Sequence, residues 1–194
     1  SNEILQQLVS MYPAYLNHEK VVFALGLIAF NKKDYEGALE NFKKVKSPEG
    51  YYYAGKCYDK LDKNFSAVVN YRKIIVEYPK SDYVERATFS IPESFYFATD
   101  YFSAMNSYKK FNDYFPKSDY KPYATYKVGC SYLLQKNFTE AIKVFNDCNK
   151  SFPASEVASL SLYLVGESLR KMGKLSEANV IYGKTVVHLS HIYI

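Results

Sequence analysis

The chain has no tryptophan, only three cysteines and eight glycines, and no long apolar run among its 194 residues. Cys57, Cys130 and Cys148 are too few, and odd in number, for a disulfide framework in a chain of this size. They read as small buried packing residues. The alternative is one bridge, Cys130–Cys148, within a single helix pair. No run approaches the ~20 apolar residues that span a bilayer. The opening residues form no signal peptide, which leaves the compartment open. The few glycines never cluster into a phosphate-binding loop, and neither a nucleophile elbow nor a zinc signature occurs. His18, His188 and His191 are the only histidines. The last two are three apart, yet two ligands alone make no metal centre. Carboxylates such as Glu49, Asp59, Glu93 and Glu167 are scattered. No catalytic residue, metal ligand or cofactor is therefore assigned.

Charge of one sign is also scarce. Twenty-five basic against twenty acidic residues leave a formal +5. The pairs Lys32-Lys33, Lys43-Lys44 and Lys109-Lys110 each have acids nearby. No basic block would track a phosphate backbone, which argues against nucleic acid.

What the chain has in abundance is tyrosine and phenylalanine, 21 and 13 residues, and repetition. "FPKSDYKPYATYKVG" at 115–129 echoes "YPKSDYVERATFSIP" at 78–92, "FPASEVASLSLYLVG" at 152–166 and "YPAYLNHEKVVFALG" at 12–26. Twelve residues after each closing position comes an alanine: Ala38, Ala104, Ala141 and Ala178, with Ala67 serving a shorter unit. A ring follows four residues later, at Phe42, Tyr71, Tyr108, Phe145 and Tyr182. The alanines are 29, 37, 37 and 37 apart. A period in this range means stacked supersecondary units.

Each unit reads as two helices. Tyr126, Gly129, Tyr132 and Leu133 step by three and four in the first, as Phe138, Ala141, Ile142 and Phe145 do in the second. Asp34, Asp100 and Asn137 are placed to cap second helices, and Asn137 forms a capping box with Glu140. Capping explains the sequons at Asn64 and Asn137 better than glycosylation. Ser81, Ser118 and Ser155 are expected to cap first helices, behind prolines that stop the preceding ones. The boundaries expected are a trailing helix of a truncated repeat over 1–16, then pairs over 17–46, 47–80, 81–117, 118–154 and 155–194. Pro92 takes a contact-glycine slot inside an expected helix and predicts a kink or break near Ser90, with Ser90 capping a fresh start.

Small residue or glycine, Tyr, Ala, aromatic and Pro, at Gly129, Tyr132, Ala141, Phe145 and Pro153, resemble the tetratricopeptide repeat, as do Gly55, Tyr58, Ala67, Tyr71 and Pro79. The longer unit with "FPKS" is similar to repeats of bacterial envelope proteins such as the β-barrel assembly lipoprotein and the periplasmic Tol–Pal-associated coordinator. The resemblance implies an all-α, right-handed α-α superhelix of about eleven helices, with the concave wall built from the first helices. It also implies a non-enzymatic scaffold binding a protein or peptide, set in an envelope or periplasm-facing location, the alternative being cytoplasmic. The apolar ending "VVHLSHIYI" suggests an excerpt of a longer array, or ends that self-associate.

One row stands out. Phe23, Tyr52, Phe89, Tyr126 and Tyr163 each lie three residues before the contact-glycine position. Equivalent slots in stacked units line up, so the rings form a row. It is either a stacking track for a peptide or packing against the next repeat's helix. Tyr96, Tyr123, Leu133, Glu167 and Arg170 are its expected neighbours. A second functional reading is glycan binding, with Tyr123, Tyr126 and Tyr163 stacking on sugars beside Glu167 and Arg170. The Asn-rich clamp of chaperone-binding tetratricopeptide domains is missing, which disfavours that mode.

Overall fold

The computed structural model describes residues 18–192, with side chains as far as Thr185. Ten helices and no strand occur among the described residues: α1 (Glu19–Asn31), α2 (Tyr35–Phe42), α3 (Pro48–Lys60), α4 (Asn64–Glu77), α5 (Tyr83–Phe97), α6 (Tyr101–Tyr114), α7 (Lys121–Leu134), α8 (Phe138–Ser151), α9 (Glu156–Lys171) and α10 (Leu175–Ile192). The fold is all-α, with ten helices seen where about eleven are expected. The helix expected over 1–16 lies outside the described residues.

The chain forms two compact units that divide between Ala98 and Thr99, so α5 belongs to the first and α6 to the second. In the first unit each helix of α1–α5 packs on the next, and α3 also reaches α5. In the second the same holds for α6–α10, and α7 also reaches α9. Contact between every second helix is how a helix-pair repeat stacks.

Local chemistry explains the joints. Asp34, Asp100 and Asn137 accept hydrogen bonds from the amides of Gly37, Ser103 and Glu140 at 3.0, 3.0 and 3.4 Å. These caps satisfy donors that a helix start leaves unpaired. The helix start at α4 is different: Lys63 holds the cap position without a side-chain bond, and the buried Asn64 Oδ1 has no partner. Just before the cap, every turn inside a pair puts one residue in the left-handed region: Lys33, Asp62, Thr99, Lys136 and Gly173, with φ of 65, 56, 60, 60 and 79°. Only Gly173 adopts this without steric cost.

The serines after the aromatic-proline phrases do not cap as expected. Ser81 and Ser118 accept from the amides of Tyr83 and Tyr120, closing turns ahead of α5 and α7. Ser155 stands at the N-cap of α9, but its hydroxyl donates backwards to the Phe152 carbonyl at 2.8 Å. Nor does Pro92 break α5, which runs from Tyr83 to Phe97 with Pro92 buried inside it. Ser90 caps nothing; its hydroxyl donates to the Arg86 carbonyl one turn back. Burial of Ile91, Pro92 and Ser94 on one side of α5 retains the helix that proline alone would weaken. All three cysteines are free and buried, as packing residues should be, and the alternative Cys130–Cys148 bridge is absent. Burial pushes the Cys57 thiol up to about 12 and Cys130 to about 11, so both stay protonated and inert.

The core repeats one lock. A side-chain carbon on Gly26, Gly55, Gly129 or Gly166 would come within 2.5–2.6 Å of Phe42, Tyr71, Phe145 or Tyr182. The glycine lets the second helix lay its ring flat against the first helix's backbone. Phe42, Tyr71 and Phe145 are at most 1 % exposed, and burying each ring stabilises by about 2–3 kcal/mol.

Candidate functional site

The row of rings is built onto this lock. Three residues before each glycine is one turn earlier on the same helix, so the row residue leans on the same second-helix ring. Phe23 lies 5.6 Å from Phe42, Tyr52 5.8 Å from Tyr71, Tyr126 5.9 Å from Phe145 and Tyr163 5.9 Å from Tyr182, centroid to centroid. Tilts of 39–57° spread the four pairs between stacked and edge-on.

The surroundings differ between the units. In the first, Phe23, Tyr52 and Phe89 are half-buried. Tyr53 meets Phe23 edge-on at 5.5 Å, Phe42 face-on at 5.3 Å and Tyr52 at 90°. Tyr52 also touches Tyr83 at 5.3 Å. Phe23 and Tyr52 thus belong to one aromatic cluster that ties neighbouring helix pairs together. Tyr96 is half-buried on α5 and meets Phe97 edge-on.

In the second unit the rings open outward. Tyr126 is half-buried, but Tyr163 is 48 % exposed and Tyr123 37 %. Tyr123 leans on Tyr126 at 6.2 Å, with the Lys127 ammonium 5.2 Å from its ring centroid. Leu134 and Leu160 add exposed apolar surface on the same two first helices, α7 and α9. Between them is a cleft of about 460 Å3. It brings together three expected residues, Leu133, Tyr163 and Glu167, and adds Leu134, Phe138 and Leu164. Lys136 and Lys171 stand at it as well. Sequence reasoning passed over both lysines, because one sits in a polar turn and the other at a helix end.

Polar groups are arranged around the tyrosines among the lock rings. Tyr71 donates to Asp59 at 2.7 Å, and Ser94 of α5 donates to the other Asp59 oxygen, also at 2.7 Å. Burial raises the Asp59 carboxyl above its ordinary value, against those two hydroxyls and Lys56, with Glu93 adding to the rise. Tyr182 donates to Glu167 at 2.6 Å, and Arg170 grips the same carboxylate through two nitrogens at 3.2 and 2.7 Å. Arg170 and then Tyr182 pull Glu167 down to about 2. Arg170 itself is exposed. Among the described residues no cluster of three or more His, Cys, Asp or Glu could hold a metal ion. Described side chains exclude His188 and His191, and His18 is exposed.

Stacked helix pairs, four of them closed by a glycine under a ring, define a helical-repeat protein of the solenoid class. Three of the repeats are tetratricopeptide repeats by family model: one model of that name matches residues 49–81 and 123–155 and a second matches 20–47. Solved structures agree. A MamA fragment from Desulfovibrio magneticus RS-1 is similar with a TM-score of 0.71 at 15% identity, over 89% of this chain and 96% of that one. A tetratricopeptide repeat protein from Parabacteroides merdae ATCC 43184 gives 0.70 at 17% identity, over 96% of this chain and 71% of that one. Another MamA structure gives 0.70 at 18%, over 88% and 91%. Identities this low speak for the fold alone. No curated protein matches the sequence. Among the described residues, no helix is long and apolar enough to cross a membrane.

Proposed function

We propose that the chain is a non-enzymatic scaffold that holds a peptide or protein segment against its first helices, chiefly in the second unit. Repeats of this kind generally mediate protein–protein interaction, which supports the class. One observation carries the placement: Tyr123, Leu134, Leu160 and Tyr163 stand exposed on α7 and α9, where the row rings of the first unit are enclosed by neighbours. Rigid rings with one side packed and one side open lose little entropy on binding. Tyr126, half-buried against Tyr123, then serves as the ordered backing of that face, while Phe23, Tyr52, Phe89 and Tyr96 are half-buried within the first unit. An envelope location belongs to the same reading and rests on the likeness of the "FPKS" repeats.

An immobilised peptide library probed with the full chain tests this. Binding of a subset is expected, with the signal of Tyr163→Ala falling about tenfold while its melting temperature holds. Tyr52→Ala is expected to melt earlier instead. A library bound equally by Tyr163→Ala, or not bound at all, overturns the reading. A glycan array is the companion measurement. Sugar binding abolished by Tyr126→Ala would favour carbohydrate, but Glu167 and Arg170 are already engaged with each other beside Tyr163.

A further inference from the structure

Resting on that reading, we infer that the cleft between α7, the turn before α8 and α9 selects segments in which a large apolar side chain stands beside an acidic one. About 460 Å3 falls within the ~300–1,000 Å3 of ligand pockets, room for a side chain or two. Its walls are leucine and aromatic, from Leu133, Leu134, Phe138, Tyr163 and Leu164. They offer an apolar anchor a surface to pack on and offer a polar one little.

The charge at the cleft is one-sided. The one carboxylate of the lining, Glu167, is gripped by Arg170 and by the Tyr182 hydroxyl, which leaves it little to give a cationic ligand. Lys136 and Lys171 are exposed, and among the described residues neither makes a salt bridge. Two exposed ammonium groups against one engaged carboxylate, on which Lys171 also acts through space, leave the seat net positive, so it attracts an anion and repels a cation. Lys136 is also well placed by its backbone. Its amide bonds the Leu133 carbonyl and the Asn137 amide bonds Tyr132, both at 2.9 Å, which fixes the turn at φ 60°. The α-carbon from which the side chain extends is therefore held before any ligand arrives. An anion flanking an apolar anchor meets both needs at once, and the acidic side chains of a polypeptide supply it.

The probes are short fluorescent peptides with blocked termini. One alternates glutamate with leucine and phenylalanine; a second has lysine, and a third serine, at every glutamate position. Anisotropy with the full chain at low salt reads affinity, and carbon-13 methyl signals of the leucines read location. The acidic peptide is expected to bind about tenfold more tightly than the lysine peptide, the scale of two exposed charge pairs. It should shift Leu133, Leu134 and Leu164. Charge reversal at both exposed lysines, Lys136→Glu with Lys171→Glu, should invert the preference while the circular dichroism is unchanged. Equal affinities, shifts confined to other leucines, or no inversion would overturn the inference. Binding that ignores charge but is weakened by Tyr163→Ala would leave the peptide-scaffold reading intact while sinking this one. Failure of all three peptides to bind would count against both.

Discussion

The α3–α4 pair and the α9–α10 pair share one plan: a glycine beneath a tyrosine, with a row ring leaning on it. They use their carboxylate differently. In α3–α4 the acid is Asp59, four residues after Gly55, and it also accepts from Ser94 of the following helix α5. In α9–α10 it is Glu167, directly after Gly166, and its other partner is Arg170 on the same helix. The first arrangement braces one repeat to the next. The second stays within its own pair and leaves the neighbouring cleft open. Where the lock ring is phenylalanine, as at Phe42 and Phe145, the same two slots hold Leu27 and Phe30 or Cys130 and Leu133. A buried phenol needs an acceptor and a phenyl ring does not, so the ring type decides where the wall is polar.

The largest expected effect that would break this comparison is Asp59→Ala. It leaves the fully buried Tyr71 hydroxyl without its acceptor, at about 1–3 kcal/mol, while the Ser94 hydroxyl keeps the Ser90 carbonyl at 3.2 Å. Urea denaturation should show a loss of about 1–3 kcal/mol for Asp59→Ala and under about 1 kcal/mol for Glu167→Ala, an exposed-side pair. Equal losses would show that Asp59 braces nothing. Next come Gly55→Ala and Gly129→Ala, which press a methyl into Tyr71 and Phe145. Each should cost about 1–3 kcal/mol by overpacking despite alanine's better helix propensity. Gly183→Ala, with nothing within 4 Å, should be neutral or stabilising in the same melts.

The smallest effect is the opposite pH response of the two acids. Glu167 falls from 4.5 to about 2 on folding, so its contribution is present above pH 4.5 and lost as pH drops towards 2. Asp59 rises from 3.8, so its contribution is full below that value and lost as pH climbs through the raised one. Denaturation midpoints across pH 2–7 should lose their acid-side decline in Glu167→Gln and their rise towards acid in Asp59→Asn. Identical profiles for both variants would erase the distinction.

The helix pairs were legible because their determinants are local and periodic: a small residue, an alanine and a ring must recur wherever two helices touch. Caps at Asp34, Asp100 and Asn137 were legible for the same reason. The left-handed turns were not, since Lys33, Asp62, Thr99 and Lys136 carry no glycine to announce them. Pro92 misled because its cost was visible in the sequence and the burial that offsets it was not. The serines after each proline misled because a hydroxyl can close a turn as readily as cap a helix. For the row rings, the recurrence of one ring per helix pair could be read from spacing. Openness could not, because it depends on neighbours such as Tyr53, which encloses the first unit's rings; at Tyr163 nearly half the ring surface is left open.

The left-handed residue of each turn has a consequence for variation. Its backbone is shaped by the surrounding hydrogen bonds, and lysine, aspartate, threonine and glycine all occupy it. One position per repeat can thus change charge or size at modest steric expense while both helices keep their register. Ligand preference could drift along the array by exchanging single turn residues, leaving the folded frame as it was.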